Sequence, residues 1–318
     1  MVKLIIQIPC FNEQETLPRT LEDLPRRVPG CDSVEVLVVD DGSTDGTVEA
    51  ARQAGVAHLV RLPRNRGLAA AFSTGLNRAL ELGADIIVNT DGDNQYPGRF
   101  IPDLVQPILD GTADVVVGDR QIATRAGYPR VKRWLQGLGS WVVGWTSGLD
   151  VPDATSGFRA FSREAALRVV VHTGYTYTAE TLIQAGKTGL AVAFVPIEIN
   201  PKLRESRLIK SMPGFVARSA AAILRIFLMY EALRVFVGIG LALLIGGFVL
   251  AGRYLYFFAI GEGQGHVQSL ILASILLLMG FLSFLLGMLA DLIAKNRRLS
   301  EEALYRLRKL DLQGGRRD

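Results

Sequence analysis

The sequence predicts an α/β protein: a mostly parallel, Rossmann-like sheet under helices, then an interfacial helix and two helices long enough to cross a membrane. Three observations carry this. Through the first 200 residues, short apolar β-rich runs alternate with segments of helical spacing, the pattern of a parallel sheet with helices on its faces. Four of those runs end in polar clusters. Beyond residue 234 come two long stretches almost without charge.

Taken in order, KLIIQIP (3–9) reads as a strand and EQETLPRTLEDL (13–24) as a helix. VEVLVVD (34–40) is a strand, and GTVEAARQAG (46–55) a helix closed by Gly55. HLVRL (58–62) is a short strand, and LAAAFSTGLNRALELG (68–83) a helix closed by Gly83. DIIVNT (85–90) and ADVVVGD (113–119) are strands. PRVKRWLQGLGSWVVGW (129–145) has the spacing of an amphipathic helix with a basic start. Residues 153–169 supply a turn, a short strand and a helix, 177–190 a helix, and 191–199 a last strand.

The polar strand ends are Pro9 to Asn12-Glu13, Asp40-Asp41, Asp91 with Asp93, and Gly118-Asp119-Arg120. In sheets of this kind ligands bind beyond the carboxyl ends of the strands. If the chain stays extended past Ile86-Ile87-Val88, alternation points Asp91, Asp93 and Gln95 the same way. Two carboxylates that close raise each other's pKa unless a cation lies between them. Mg²⁺ commonly takes one or two carboxylates together with substrate phosphates. A solvated turn is the alternative, because Asp-Gly and Asn are ordinary turn residues.

Val235–Gly252 and Val267–Ala290 carry no charge, and after Arg253 the first run resumes to Ile260. Each is long enough to span a bilayer, which takes about 20 apolar residues. Lys and Arg are dense in 201–234 and after Ala290, whereas the connector holds only Glu262 and His266. By the positive-inside rule both ends of the hairpin face the cytoplasm. Residues 1–200 have a net charge of −4 and 201–318 of +8. The basic excess therefore lies beside the membrane, where anionic lipid attracts it, and nucleic acid is not an expected partner. Residues 213–230 read as the interfacial helix: Phe215, Val216, Ile223, Ile226 and Phe227 are apolar, while Arg218 and Arg225 share a face. The division is then 1–210, 211–234, 235–292 and a basic tail 293–318. MVKLIIQIPC enters a strand without the pattern of a signal peptide. Cys10 and Cys31 are expected reduced, and three histidines without Cys/His spacing argue against a His-ligated metal.

The ordered set Ile8-Pro9-Cys10-Phe11-Asn12-Glu13, Val38-Val39-Asp40-Asp41-Gly42-Ser43-Thr44-Asp45-Gly46-Thr47, Asn65-Arg66-Gly67, Asp91-Gly92-Asp93-Asn94-Gln95, Gly118-Asp119-Arg120 and Asp153 to Ser156-Gly157-Phe158-Arg159 resembles the family-2 glycosyltransferases of the GT-A fold. Within them it resembles the polyisoprenyl-phosphate type, such as dolichol-phosphate mannose synthases. The resemblance covers nearly all of 3–210. It implies that Pro9, Asn12, Glu13, Asp40 and Asp41 line a nucleotide pocket, although Asp40-Asp41 equally suit a cap ahead of Gly46-Thr47, a job open to Ser43 or Asp45. Asn65, Arg66 and Gly67 approach the donor, or simply close a loop before a helix. By the same resemblance Asp91, Asp93 and Gln95 hold Mg²⁺ or Mn²⁺ on the donor diphosphate. Arg120 and Arg133 suit an acceptor phosphate, as guanidinium does generally, with a solvated helix face the alternative for Arg133. Asp153, Ser156 and Glu180 fall on the acceptor side, and Asp153 serves to position acceptor or sugar. A phosphate monoester is already anionic at pH 7.

Relatives often have Gly-Ser-Arg where this chain has Gly118-Asp119-Arg120, and Gly-Glu-Ser-Lys where it has Arg204-Glu205-Ser206-Arg207. Arg204, Ser206 and Arg207 are expected at the acceptor. Arg130-Val131-Lys132-Arg133-Trp134 lacks the Gln of the Gln-x-x-Arg-Trp motif of processive synthases. The expected reaction is metal-dependent, inverting transfer of one sugar from a UDP- or GDP-linked donor to a polyisoprenyl phosphate at the cytoplasmic membrane face. A homo-oligomer is admitted. Transfer to another lipid hydroxyl, or a non-catalytic scaffold for a glycan-assembly partner, are the competitors.

Overall fold

The structure, a computed structural model, describes residues 1–122, 130–171, 177–201 and 230–314, with scattered positions between 216 and 225. Its sheet is built from β1 (Lys3–Cys10), β2 (Ser33–Asp40), β3 (His58–Arg61), β4 (Ile86–Asn89), β5 (Val115–Asp119), β6 (Arg159–Ser162) and β7 (Val192–Pro196). The order is β3-β2-β1-β4-β6-β5-β7. All pairings are parallel except those of β6, which runs against both β4 and β5.

That reversal positions the site. The six parallel strands end on one rim, and β6 starts there, so the 153–158 segment is delivered to the same rim. The apolar runs explain the core: Leu4, Ile6, Ile8, Val38, Val88 and Val116 are buried in one cluster, and parallel strands covered by helices require such runs. The helices are α1 (Leu17–Asp23), α2 (Thr47–Gln53), α3 (Leu68–Glu81), α4 (Ile101–Leu109), α5 (Arg130–Ser147), α6 (Arg163–Arg168) and α7 (Tyr177–Thr188). Residues 13–16 form a turn before α1, where the sequence predicts helix, because Pro18 sets the first helical turn. Helix α4 has no counterpart in the sequence reading. Pro102 and Pro107 mask its pattern, yet Ile101, Leu104 and Val105 are buried.

The chain divides into two compact units, Met1–Ala222 with Ala303–Asp318, and Ile223–Glu302. The second holds α8 (Ala232–Ala259) and most of α9 (Val267–Gly314). Both helices are long and apolar enough to cross a membrane. They meet on small residues. A Cβ on Gly280 would lie 3.0 Å from the Gly240 carbonyl oxygen, and one on Gly247 would lie 3.2 Å from that of Ala273. Ser283 Oγ donates to the Phe236 carbonyl at 2.9 Å. Small residues at such spacing let the two helix backbones approach closely. Helix α9 continues unbroken past residue 292, the boundary of the expected tail. Its 303–314 portion belongs to the first unit, where Tyr305 donates to Glu164 at 2.8 Å and Arg308 donates to the Val169 carbonyl at 3.0 Å. The expected interfacial helix 213–230, and Arg204, Ser206 and Arg207, lie outside the described residues or almost wholly so.

Candidate active site

Three loops at the ends of β1, β2 and β4 are stitched together by short polar side chains. Asn12 adopts a left-handed backbone (φ 56°). Its N–H donates to Ser43 Oγ at 2.9 Å, and its side-chain oxygen accepts from the Thr44 N–H at 2.9 Å. The Glu13 N–H donates to Thr47 Oγ1 at 2.8 Å, and Thr16 Oγ1 donates to the Glu13 carboxylate at 2.7 Å. Pro9 pairs with Val39 in the β1–β2 register.

Asp40 and Asp41 are both buried but do different work. Asp40 accepts from the Ser43 N–H at 3.1 Å, with Arg61 Nε at 3.4 Å. Asp41 places one oxygen on the Arg66 N–H and the other on the Gly67 N–H, both at 2.8 Å. Asp41 thus clamps the 65–67 loop, in addition to whatever it offers a ligand. The clamp needs Gly42, since a Cβ there would fall 2.5 Å from the Arg64 carbonyl carbon. Capping of α2 falls to Asp45, whose carboxylate accepts from the Thr47 N–H at 3.0 Å. Burial pushes its pKa up, but the bonds from Thr47 outweigh that and hold it below the usual carboxylate range.

The β4 end corrects one expectation. The chain does not stay extended after Asp91. It turns through Gly92 to Asn94, whose φ is 54°, and the Gln95 N–H donates to Asp93 Oδ1 at 3.1 Å. Alternation therefore does not relate Asp91, Asp93 and Gln95; a turn does. It is fixed to neighbouring elements by Thr20 Oγ1, which donates to the Gly92 carbonyl at 3.1 Å, and by Asn200, whose side-chain NH₂ donates to the Asn94 carbonyl at 3.0 Å.

Acidity concentrates here. Burial drives the Cys10 thiol pKa up first, and the charges of Glu13, Asp40 and Asp91 raise it further. Among the described residues no three of His, Cys, Asp and Glu form a cluster able to enclose a metal. Asp91 and Asp93 nonetheless suit a hard divalent cation of the kind that keeps open positions for phosphate oxygens. Space is reserved beside Asp91: a Cβ on Gly157 would lie 3.2 and 3.3 Å from its two carboxylate oxygens.

The other half of the rim rests on guanidinium groups. Arg120 meets Asp153 in a bidentate pair, Nε to Oδ2 at 2.7 Å and Nη2 to Oδ1 at 2.9 Å, and Nη2 also reaches Thr155 Oγ1 at 2.6 Å. Both side chains are largely buried. Burial raises the Asp153 pKa, but the bonds and charge of Arg120 prevail and hold the carboxyl below its ordinary value. Two residues assigned separately by resemblance are therefore one unit.

Arg159 is the residue whose part the sequence reading left unassigned. It is fully buried. It donates to the carbonyls of Ser156 at 2.8 Å, Thr178 at 2.6 Å and Ala154 at 3.0 Å, and to Thr181 Oγ1. Burial, the largest influence, lowers its pKa to about 10. Its signal in the sequence is a lone Arg opening the apolar strand RAFS. Across the sheet Arg159 pairs with Asn89, and Asn89 with Gln7. Asn89 Nδ2 donates to the Gly157 carbonyl at 2.7 Å, and the Gly157 N–H donates to the Tyr96 hydroxyl at 3.2 Å. Tyr96 stacks on Phe158 at 5.1 Å between ring centres. Its pKa is pushed up to about 12, first by burial, and it feels Arg120, Asp91 and Asp153 together. Ser156 and Glu180 are fully buried beside these anchors in the chain, Glu180 on α7 between Thr178 and Thr181. Ser156 Oγ has no hydrogen-bond partner among the described residues. Arg133 is half-buried in the first turn of α5.

Residues 5–169 match the family model described as Glycosyl transferase family 2. The chain belongs to that family. As a family-2 glycosyltransferase it is 30% identical to an undecaprenyl-phosphate mannosyltransferase of Micrococcus luteus, over 67% of this chain and 90% of that one. It is 31% identical to a dolichyl-phosphate hexose transferase of Haloferax volcanii, over 64% and 86%. Its fold is the GT-A fold. The crystal structure of glucosyl-3-phosphoglycerate synthase from Mycobacterium tuberculosis, in complex with Mn²⁺, uridine diphosphate and glucosyl-3-phosphoglycerate, aligns with a TM-score of 0.56 at 25% identity, covering 70% of this chain and 78% of that one.

Proposed function

We propose that this glycosyltransferase moves one sugar from a UDP- or GDP-linked donor to a polyisoprenyl phosphate at the cytoplasmic face of a membrane, with inversion. The observation that carries the choice of acceptor is the Arg120–Asp153 pair. A hydroxyl acceptor needs a base to take its proton. Asp153, the acid expected at the acceptor, is held ionised by Arg120 and is a poor base at neutral pH. A phosphate monoester, with a second pKa of about 6, needs no such help. The names of the two relatives, both of which specify a polyprenyl phosphate, support this reading.

In the proposed reaction a phosphate oxygen bonds to the anomeric carbon while the bond from that carbon to the nucleoside diphosphate breaks. Asp91 and Asp93, with Gln95 in their turn, would hold Mg²⁺ or Mn²⁺. When bound, such an ion neutralises charge on the departing diphosphate. Pro9, Asn12, Glu13, Asp40 and the loop clamped by Asp41 form the nucleotide side. Arg133 and Arg120 draw the acceptor phosphate, Ser156 and Glu180 line its approach, and Arg204, Ser206 and Arg207 are assigned to it from sequence. Residues 1–210 would be cytoplasmic, 211–234 interfacial and α8 with α9 to residue 292 membrane-spanning, on the strength of their apolarity and flanking Lys and Arg.

The test is radiolabelled sugar transfer by the purified full chain to a short polyprenyl phosphate and to the matching polyprenol, with Asp93→Asn alongside. Transfer to the phosphate only, lost about 10²-fold or more in Asp93→Asn with unchanged thermal unfolding, is expected for loss of transition-state charge stabilisation. Efficient transfer to the free alcohol overturns the acceptor assignment, and full turnover in excess EDTA overturns the metal.

A further inference from the structure

Helix α5 buries Leu135, Val142 and Val143 and leaves another face open to solvent. On that face Trp134 is 66% exposed, Trp141 61% and Trp145 41%. At 100° per residue the three indoles fall within about 40° of one another. They are all the tryptophan the chain contains. From Gln121 to Leu149 there is no Asp or Glu, while Arg125, Arg130, Lys132 and Arg133 precede or open the helix.

Three large aromatic side chains presented along one partly exposed stripe are unusual for a soluble surface. Trp favours the headgroup level of a bilayer, where its ring meets apolar surface and its N–H stays hydrated. A helix with an aromatic face and a basic start, free of acids, complements an anionic surface. We propose that the Trp134–Trp141–Trp145 face of α5 is a docking surface for the headgroup layer of an anionic bilayer. The inference rests on the reading above only for the presence of a membrane. It adds a contact made by the sheet-bearing unit itself, separate from α8 and α9. Because Arg133 adjoins Trp134, the contact would bring a guanidinium of the acceptor side to the depth where a lipid phosphate lies.

The full chain tests this without labels, since its entire tryptophan emission comes from this face. It is reconstituted in vesicles of phosphatidylcholine and phosphatidylglycerol, with and without bromine on the shallow part of the acyl chains. Blue-shifted emission, quenched by the brominated lipid and protected from aqueous iodide, is the expected result. Emission at the position of hydrated indole, quenched by iodide and indifferent to bromine, overturns the proposal. So does a blue shift that ignores bromine and grows with protein density, which would mean a protein partner or a second copy covers the face. A Trp141→Ser, Trp145→Ser variant should lose quenching amplitude. It should transfer sugar several-fold more slowly to acceptor embedded in vesicles, while keeping wild-type rates on a short acceptor in detergent. Quenching needs no turnover, so failure of the catalytic reading leaves this measurement intact.

Discussion

On the β1–β2–β4 side of the rim, carboxylates are held by backbone amides and short side chains, some a turn away and some from a neighbouring loop. Asp40 bonds the Ser43 N–H three residues on, and Asp93 the Gln95 N–H two residues on. On the β5–β6 side, a carboxylate and a guanidinium 33 residues apart hold each other, and a second buried guanidinium, Arg159, holds four backbone or hydroxyl oxygens. The first half spreads its order over many single bonds, within turns and between loops: Asp41 alone takes the Arg66 and Gly67 N–H groups, and Asn12 is tied to Ser43 and Thr44. The second concentrates its order in two buried guanidinium groups, of which Arg120 is matched across distance by Asp153, a carboxylate that also accepts from the Thr155 N–H at 3.1 Å. In the proposed reaction the acidic half takes the cation and the nucleotide, and the half built on Arg120 and Asp153 takes the acceptor phosphate.

Breaking the second half should produce the largest effect. Removing one member of a buried ion pair strands the other, at about 3–5 kcal/mol. Arg120→Ala or Asp153→Ala should therefore lower the unfolding midpoint strongly, whereas Arg120→Met with Asp153→Leu should come close to wild type in stability while losing transfer. The sign of the pH effect follows from the depressed Asp153 pKa. The pair's contribution is complete above the unfolded carboxylate value of about 3.9 and is lost as pH falls through the lower folded value. Wild type should thus destabilise more steeply than the double variant only below about pH 4. Equal stability of all four proteins would show that the pair is not the support of this half.

The donor half is sharpened by Asp41. Its two oxygens each take a backbone N–H of the 66–67 loop, and bonds to a charged group are worth about 1.5–3 kcal/mol. Asp41→Ala should cost about 2–3 kcal/mol, less than either single change at the ion pair, because the freed amides can turn to water. It should raise KM for the nucleotide sugar and leave KM for the acceptor unchanged. A rise in acceptor KM instead would merge the two halves into one.

The same contrast explains what could be read from the chain. Strands β1, β2, β4 and β5 were legible because apolar runs between turn formers leave few other options, and the acids at their ends could be placed on one rim. Asp153 was legible as an acid, but its partner was not, since nothing local ties residue 120 to residue 153. The direction of β6 was equally hidden. RAFS reads the same in either sense, and only its place between β4 and β5 reverses it. The Asp41 clamp is hidden for a related reason, because a loop 25 residues away leaves no spacing signal. The extended reading of 91–95 failed at Asn94, one of the residue types that accept a left-handed backbone most readily.

The smallest effect, and the finest division between the halves, belongs to Ser156. Its side chain is fully buried and its Oγ finds no partner among the described residues. Its neighbours are tightly held, since Arg159 bonds its carbonyl and Gly157 is fixed between Asn89 and Tyr96. A buried hydroxyl without a partner is a burden of about 1–3 kcal/mol on the folded state. If its purpose is structural, Ser156→Ala should destabilise. If it is kept for a ligand, removing it should leave the unfolding midpoint unchanged or raise it by up to about 1 kcal/mol equivalent, because the unsatisfied group is gone. Transfer to polyprenyl phosphate should fall several-fold at the same time, with KM for the nucleotide sugar unmoved. We expect the second pattern. Thermal unfolding and the two KM values, measured on one preparation, decide it: a lower midpoint together with unchanged transfer would place Ser156 in the scaffold and remove it from the acceptor side.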